Sequence, residues 1–185
     1  MAEGKKMVII INGKGGSGKD TICDILNKHY PVTNISTITK VKQAARLIFG
    51  WKGGKEAKDR KFLSDLKDLW TNYNDGPFKY AYEQYKKFRD KPATAYNEIM
   101  VIHVREPREI EKLKKAISVE EFECKTLLIT SERTDDHGYG NHADDDVEAY
   151  AYNYVYHNDG ALEDLDQNFM QFFHTVMVPS WQESH

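Results

Sequence analysis

Residues 13–21 read Gly-Lys-Gly-Gly-Ser-Gly-Lys-Asp-Thr and follow the apolar run Met7-Val8-Ile9-Ile10-Ile11-Asn12. The run reads as a short buried strand, and the residues past the glycines read as the start of a helix. The segment fits the phosphate-binding pattern G-x-x-x-x-G-K-[ST] at every position but the last, where Asp20 replaces the hydroxyl residue. Gly13, Lys14, Gly15, Gly16, Ser17 and Gly18 form a loop flexible enough to turn successive N–H groups toward one point, which cradles an anion. A helix beginning near Lys19 adds the positive end of its dipole. The Lys19 ammonium would reach the β- and γ-phosphates of a nucleotide, ATP in the usual case. The hydroxyl at the last position ordinarily ligates Mg²⁺; here the Asp20 carboxylate, or the Thr21 hydroxyl one position later, is the candidate oxygen donor. The competing reading is a glycine-rich turn with no ligand, which the strand before and the helix after make the weaker one.

The chain's 185 residues suit one domain spanning 1–185 with a full core. With 26 basic and 29 acidic side chains the net charge is −3, so there is no basic field of the kind nucleic acid requires. Cys23 and Cys124 are the only cysteines. So sparse a set points to a reducing, cytoplasmic setting, with both thiols packed in the core. The apolar run at 7–12 is too short for a signal peptide or a membrane span, so no membrane partner is expected. Monomer and homodimer both stay open.

Periodicity sets out the remaining elements. Ile22, Cys23, Ile25, Leu26 and His29 mark the helix after the loop, and Tyr30-Pro31 ends it. Residues 32–38 alternate and are β-branched, a second strand. Helices occupy 41–49, 57–73 and 78–88, with Gly50 and Asn74-Asp75-Gly76-Pro77 as stops. Together they form a helical insert over about 39–95. A strand at 99–104, a helix opened by Pro107, a strand at 126–130, a fifth strand at 152–156 and a closing helix over 162–176 complete the pattern. Residues 131–146 read as a charged, lid-like loop, and residues 179–185 as a disordered tail. Strands alternating with helices predict an α/β parallel sheet covered on both faces, with its site at the carboxyl ends of the strands.

The Gly-Lys-Asp-Thr form of the loop resembles a branch of the small-molecule P-loop kinases, notably phage-type deoxynucleoside monophosphate kinases. Animal-type phosphomevalonate kinases share Gly-Lys-Asp and differ in the residues after it. The likeness extends to the order of phosphate loop, helical insert, strand ending in an arginine, lid-like loop and final strand ending in Asn158-Asp159-Gly160. It implies a five-stranded three-layer sandwich of the P-loop NTPase type. Residues 42–51, Lys-Gln-Ala-Ala-Arg-Leu-Ile-Phe-Gly-Trp, are similar to the segment that opens the monophosphate site. That likeness implies that Lys42 and Arg46 face the acceptor phosphate, with Arg60 a weaker candidate. Solvated helix charges are the other reading. Phe49, Trp51 or Trp70 could stack on a base, though such residues are more often core.

The segment His103-Val104-Arg105-Glu106-Pro107 resembles the family's Asp-Val-Arg followed by proline. Arg105 matches and suits bidentate phosphate contact. His103 stands where the family has a carboxylate, which Glu106 could replace. Arg133 corresponds to a lid arginine that would offset charge on the transferring phosphoryl group. Asp135, Asp136, His137, His142 and Asp144 to Asp146 match no familiar metal-ligand spacing. By the same resemblance, Asn158 and Gly160 lie beside an adenine. The implied activity is phosphoryl transfer from ATP, with Mg²⁺, to a nucleoside or deoxynucleoside 5′-monophosphate. A kinase of another small phosphorylated metabolite, and a nucleotide-binding protein without transferase activity, are the alternatives.

Overall fold

The structure, a computed structural model, describes residues 4–54, 56–133 and 147–181. Five strands form one parallel sheet: β1 (Lys6–Asn12), β2 (Val32–Ser36), β3 (Glu98–His103), β4 (Cys124–Thr130) and β5 (Tyr154–His157). Their spatial order is β2-β3-β1-β4-β5. β1 sits at the centre, paired in register from Lys6↔Glu98 to Ile11↔His103 on one side and from Val8↔Cys124 to Asn12↔Leu128 on the other. A central parallel strand is covered on both faces, and the unbroken apolar run of β1 is the sequence form of that burial.

The helices are α1 (Lys19–His29), α2 (Thr39–Phe49), α3 (Ala57–Asn74), α4 (Gly76–Asp90), α5 (Pro107–Ser118) and α6 (Leu165–Phe172). Alternation along β1 divides the core. Met7, Ile9 and Ile11 pack with Ile22, Ile25 and Leu26 of α1 and with Phe169 of α6. Val8 and Ile10 pack with Ala81, Tyr85 and Phe88 of α4 and with Ile110, Leu113 and Ile117 of α5. This is an α/β three-layer sandwich, a parallel sheet with helices on both faces. A smaller cluster of Val41, Ala45 and Leu63 joins α2 to α3 in the insert.

Several boundaries differ from the sequence reading. β2 stops at Ser36, because Thr37 turns to donate through its N–H to His103 O at 3.2 Å. β5 begins at Tyr154 rather than 152, because the Tyr152 hydroxyl is drawn to Asn12 and Val147. The closing helix passes through a 3₁₀ turn at Leu162–Asp164 and ends in a π turn at Phe173–Met177. The expected disordered tail is corrected for residues 179–181. Trp181 is 4% exposed and packs edge-on against Tyr30 and Phe173 at 5.5 and 6.0 Å between ring centroids. Burial of an indole outweighs the polar composition around it. Among the described residues no helix is long and apolar enough to cross a membrane.

Candidate active site

The chain leaves β1 through Asn12, which is 1% exposed. Its side chain accepts from Gly13 N at 2.8 Å and donates to Arg105 O at 2.8 Å and to the Tyr152 hydroxyl at 2.7 Å. The start of the glycine loop is thereby tied to the segment after β3. A Cβ on Gly13 would collide with the Ile129 carbonyl of β4, so the loop runs flush against the sheet. Gly18 has φ +92°, a left-handed conformation that disfavours any other residue, and it hands the chain to α1. No side chain caps α1, so the N–H groups of its first turn remain available to an anion.

Lys19 folds back along the loop. Its Nζ donates to Gly13 O at 2.5 Å and to Lys14 O at 2.7 Å. Ser17 Oγ is buried with no hydrogen-bond partner among the described residues, and Ser17 O accepts from Asn158 Nδ2 at 3.0 Å. A cavity of about 480 Å³ opens beside the loop between the ends of β4 and β5, with Lys14, Ser17, Thr130, Ser131, His157 and Asp159 on its walls.

Sheet order brings a second set of groups to the same edge. β1 continues toward β2 and β3 continues toward β4 on the other side, so the connections diverge at the carboxyl ends of β1 and β3. His103 closes β3 there. Burial keeps its imidazole neutral, lowering its pKa from 6.5 to about 4. The Asp20 carboxylate opposes that shift, while Lys19, Lys42 and Arg105 reinforce it. Those four charged groups, from α1, α2 and the end of β3, therefore converge on His103. Its Nε2 lies 3.5 Å from Cys23 Sγ. Burial, then the charges of Asp20 and Asp24, push the Cys23 thiol up to about 12, so it stays protonated.

The remaining candidates fall in three places. Arg60, on α3, reaches the loop: its Nη1 lies 3.9 Å from where a Gly15 Cβ would be. Arg46 instead lies over the Trp51 ring at 5.3 Å, and Trp51 donates to Asp59 Oδ1 at 3.0 Å. Glu106 pairs with Lys67 of α3, a lysine 7% exposed, which commits that carboxylate to the insert. Phe49 meets Phe62 edge-on at 5.4 Å, and Trp70 lines a groove between α2 and α3. At the other side of the site, Arg133 donates to the carbonyls of Asp159 and Gly160. Ser131 Oγ donates to Asn158 O at 3.0 Å. The β4 and β5 loops are thus fastened together, and the Asn158 amide is spent on the phosphate loop. Asp20 and Thr21 lie exposed in the first turn of α1. The acidic and histidine residues at 135–146 lie outside the described residues. Among the described residues no group of three or more His, Cys, Asp or Glu side chains could hold a metal ion.

Asn12, Tyr152 and Thr37 were not singled out in the sequence. Asn12 alone carried a signal, as a polar residue closing an otherwise apolar buried strand.

A glycine-rich loop at the carboxyl end of a central parallel strand, with a lysine folded over it and a helix starting behind it, defines a phosphate-binding-loop protein of the α/β class. Neither a family model nor a curated protein sequence matches the chain. Its structure is similar to shikimate kinase from Bacteroides thetaiotaomicron, at 12% identity and a TM-score of 0.48 over 92% of this chain and 98% of that one. It is also similar to APS kinase CysC of Mycobacterium tuberculosis in complex with AMPPNP and APS (12% identity, TM-score 0.44, over 95% and 100% of the two chains). Dephospho-CoA kinase from Campylobacter jejuni is a third, at 12% identity and a TM-score of 0.47 over 91% and 96%. The strand order and the loop geometry carry the class without these likenesses.

Proposed function

We propose that this protein transfers the γ-phosphoryl group of ATP to a nucleoside or deoxynucleoside 5′-monophosphate, giving the diphosphate and ADP. The observation that carries the reading is the convergence of cations on two sides of one strand end. Lys19 lies over the glycine loop, and Lys42 and Arg105 bring their charge to His103 at the end of β3, the side this reading gives to the acceptor. Two phosphate-bearing substrates meeting in line need this arrangement, because catalysis of phosphoryl transfer is positioning plus charge stabilisation.

The residues fit a polyphosphate donor. The loop leaves open space at Gly16, the first turn of α1 is uncapped, and Ser17 Oγ is a buried donor with nothing described to receive it. Gly13 to Thr21 would hold the donor phosphates, with Lys19 moving from the Gly13 and Lys14 carbonyls to phosphate oxygens of like geometry. A bound Mg²⁺ would supply charge neutralisation between the phosphates, and Asp20 or Thr21 is the oxygen donor available to it. Arg105, Lys42 and Arg60 orient the acceptor phosphate, and Arg46 would join them on leaving Trp51. Arg133 steadies the β5 loop, whose His157 and Asp159 line the cavity proposed for the adenine, with Asn158 and Gly160 next to them in the chain. His103, neutral among these charges, lets three cations approach without adding a fourth.

The test is an ADP-release assay with ATP and Mg²⁺ against a panel of ribo- and deoxynucleoside monophosphates, with phosphomevalonate included. Turnover of one or a few nucleoside monophosphates is expected. Turnover of phosphomevalonate alone, or of nothing on the panel, would overturn the assignment of the acceptor.

A further inference from the structure

Where β1 and β3 leave the sheet, their backbone pairing stops. The ladder closes at Ile11↔His103, with one further bond from Val104 N to Ile11 O at 3.3 Å. Past that point the side chain of Asn12 takes over from the ladder. Gly13 N can only donate and Arg105 O can only accept, so the amide has one orientation. Oδ1 faces Gly13 and Nδ2 faces Arg105, each at 2.8 Å. The second Nδ2 proton goes to the Tyr152 hydroxyl at 2.7 Å, which gives its own proton to Val147 O at 2.8 Å. The donors therefore run one way, from Asn12 through Tyr152 to Val147, and bonds in such a series polarise one another. Asn12 is 1% exposed, so bulk water does not replace a lost partner.

Each arm of this junction ends at a different part of the site. Gly13 opens the phosphate loop, and its carbonyl receives Lys19 Nζ. Arg105 stands two residues past the end of β3, on the side read above as the acceptor's. Val147, 1% exposed, opens the turn whose next residue, Glu148, pairs with Lys14 at 3.4 Å. Both Val147 and Glu148 line the cavity of about 480 Å³. Arg105 and Tyr152 lie 93 and 140 residues from Asn12 in the chain, so no local turn sets these distances. The Tyr152 ring is held by packing, edge-on to Tyr150 at 5.0 Å and against the core cluster of α4 and α5. A ring locked in this way presents its hydroxyl at a fixed point, and Asn12 relays that point to the two strand ends.

We infer that Asn12 and Tyr152 are a positioning pair that fixes the phosphate loop and Arg105 relative to each other, so that the donor and acceptor phosphates meet in line. The inference rests on the phosphoryl-transfer reading above, and the pair acts through Gly13 and Arg105 rather than on substrate. Tyr152→Phe deletes the hydroxyl alone. Asn12→Asp keeps an acceptor for Gly13 N but has no proton for Arg105 O or the Tyr152 hydroxyl. Tyr150→Phe deletes the same atom from the adjacent ring, whose hydroxyl donates to Glu111 at the surface, and is the control. In the ADP-release assay Tyr152→Phe should lower kcat about tenfold and Asn12→Asp about 100-fold, since small misplacements of reacting groups cost rate on this scale. KM for ATP and for the acceptor should stay within about threefold, because every group that binds phosphate is still present. Tyr150→Phe should match the wild type within about twofold. If Asn12→Asp does not fold, Tyr152→Phe decides. Amide hydrogen exchange of the ligand-free protein, followed by NMR, is a second readout that needs no substrate. Exchange at Gly13 and Val104 should rise at least about fivefold in Tyr152→Phe, with Ile9 and Ile10 in the same strand unchanged. Unchanged exchange at Gly13 and Val104 would overturn the inference. So would an unchanged kcat in Tyr152→Phe, or a loss that Tyr150→Phe shares equally. A wild type that turns over no monophosphate overturns the acceptor assignment instead, and the exchange rates then decide the pair alone.

Discussion

Gly13 has no room for a side chain. A Cβ there meets the Ile129 carbonyl and the buried Ser17 hydroxyl, and backbone at a central strand cannot give way as a flexible side chain can. Gly13→Ala should therefore destabilise the chain by about 2–4 kcal/mol in urea unfolding. His103 makes a prediction of another kind. Its folded pKa of about 4 lies below the ordinary 6.5, so between those values the unfolded chain binds a proton that the folded chain refuses. Its contribution to stability is complete above pH 6.5 and is lost as the pH falls toward 4, a total of about 3 kcal/mol. Unfolding free energies measured from pH 7 to 4 should show this slope, and His103→Asn should flatten it. Residue identities in the loop were legible because each has one use in that pattern. Asn158 was legible as a turn residue, but its hold on Ser17 O depended on a contact across the fold that no local spacing encodes.

At the level of elements, polar contacts tie the helical insert to the rest of the chain at several points: Lys67 pairs with Glu106, Lys112 with Asp75, and Glu120 with Tyr82, Tyr85 and Arg89. Lys67→Ala removes the lysine and leaves Glu106, itself a third exposed, able to hydrate. A loss of about 1–3 kcal/mol in thermal or urea unfolding is expected, together with a raised KM for the acceptor and a smaller change in kcat, since the insert carries Lys42 and Arg60. Helix positions in the insert could be read from apolar spacing at 41–49, 57–73 and 78–88. Helix orientation could not: the same amphipathic pattern permits Arg46 to face a phosphate or a tryptophan, and Trp51 decides it. The last residues were misread for a related reason. Pro179-Ser180-Trp181 looks like a tail by composition, and only the ring faces of Tyr30 and Phe173 give Trp181 a place.

For the whole molecule, alternation of strands and helices announced a parallel sheet, but the order β2-β3-β1-β4-β5 is a property of long-range packing. That order creates the functional edge. It sets the glycine loop beside His103 and Arg105 and carries α2 and α3 over the loop from one side, while the β4 and β5 loops close the other. The reading of the chain as a nucleotide-dependent kinase stands or falls on the loop as the donor site. Calorimetric titration of ATP with Mg²⁺ into the wild-type chain and into Lys19→Ala measures this directly. The account predicts saturable binding by the wild type and at least a roughly 30-fold loss in the variant, with circular dichroism and unfolding midpoint little changed, since the carbonyls Lys19 bonds, Gly13 O and Lys14 O, lie in the loop. Equal affinity in the two proteins, or no binding by a folded wild type, would contradict it.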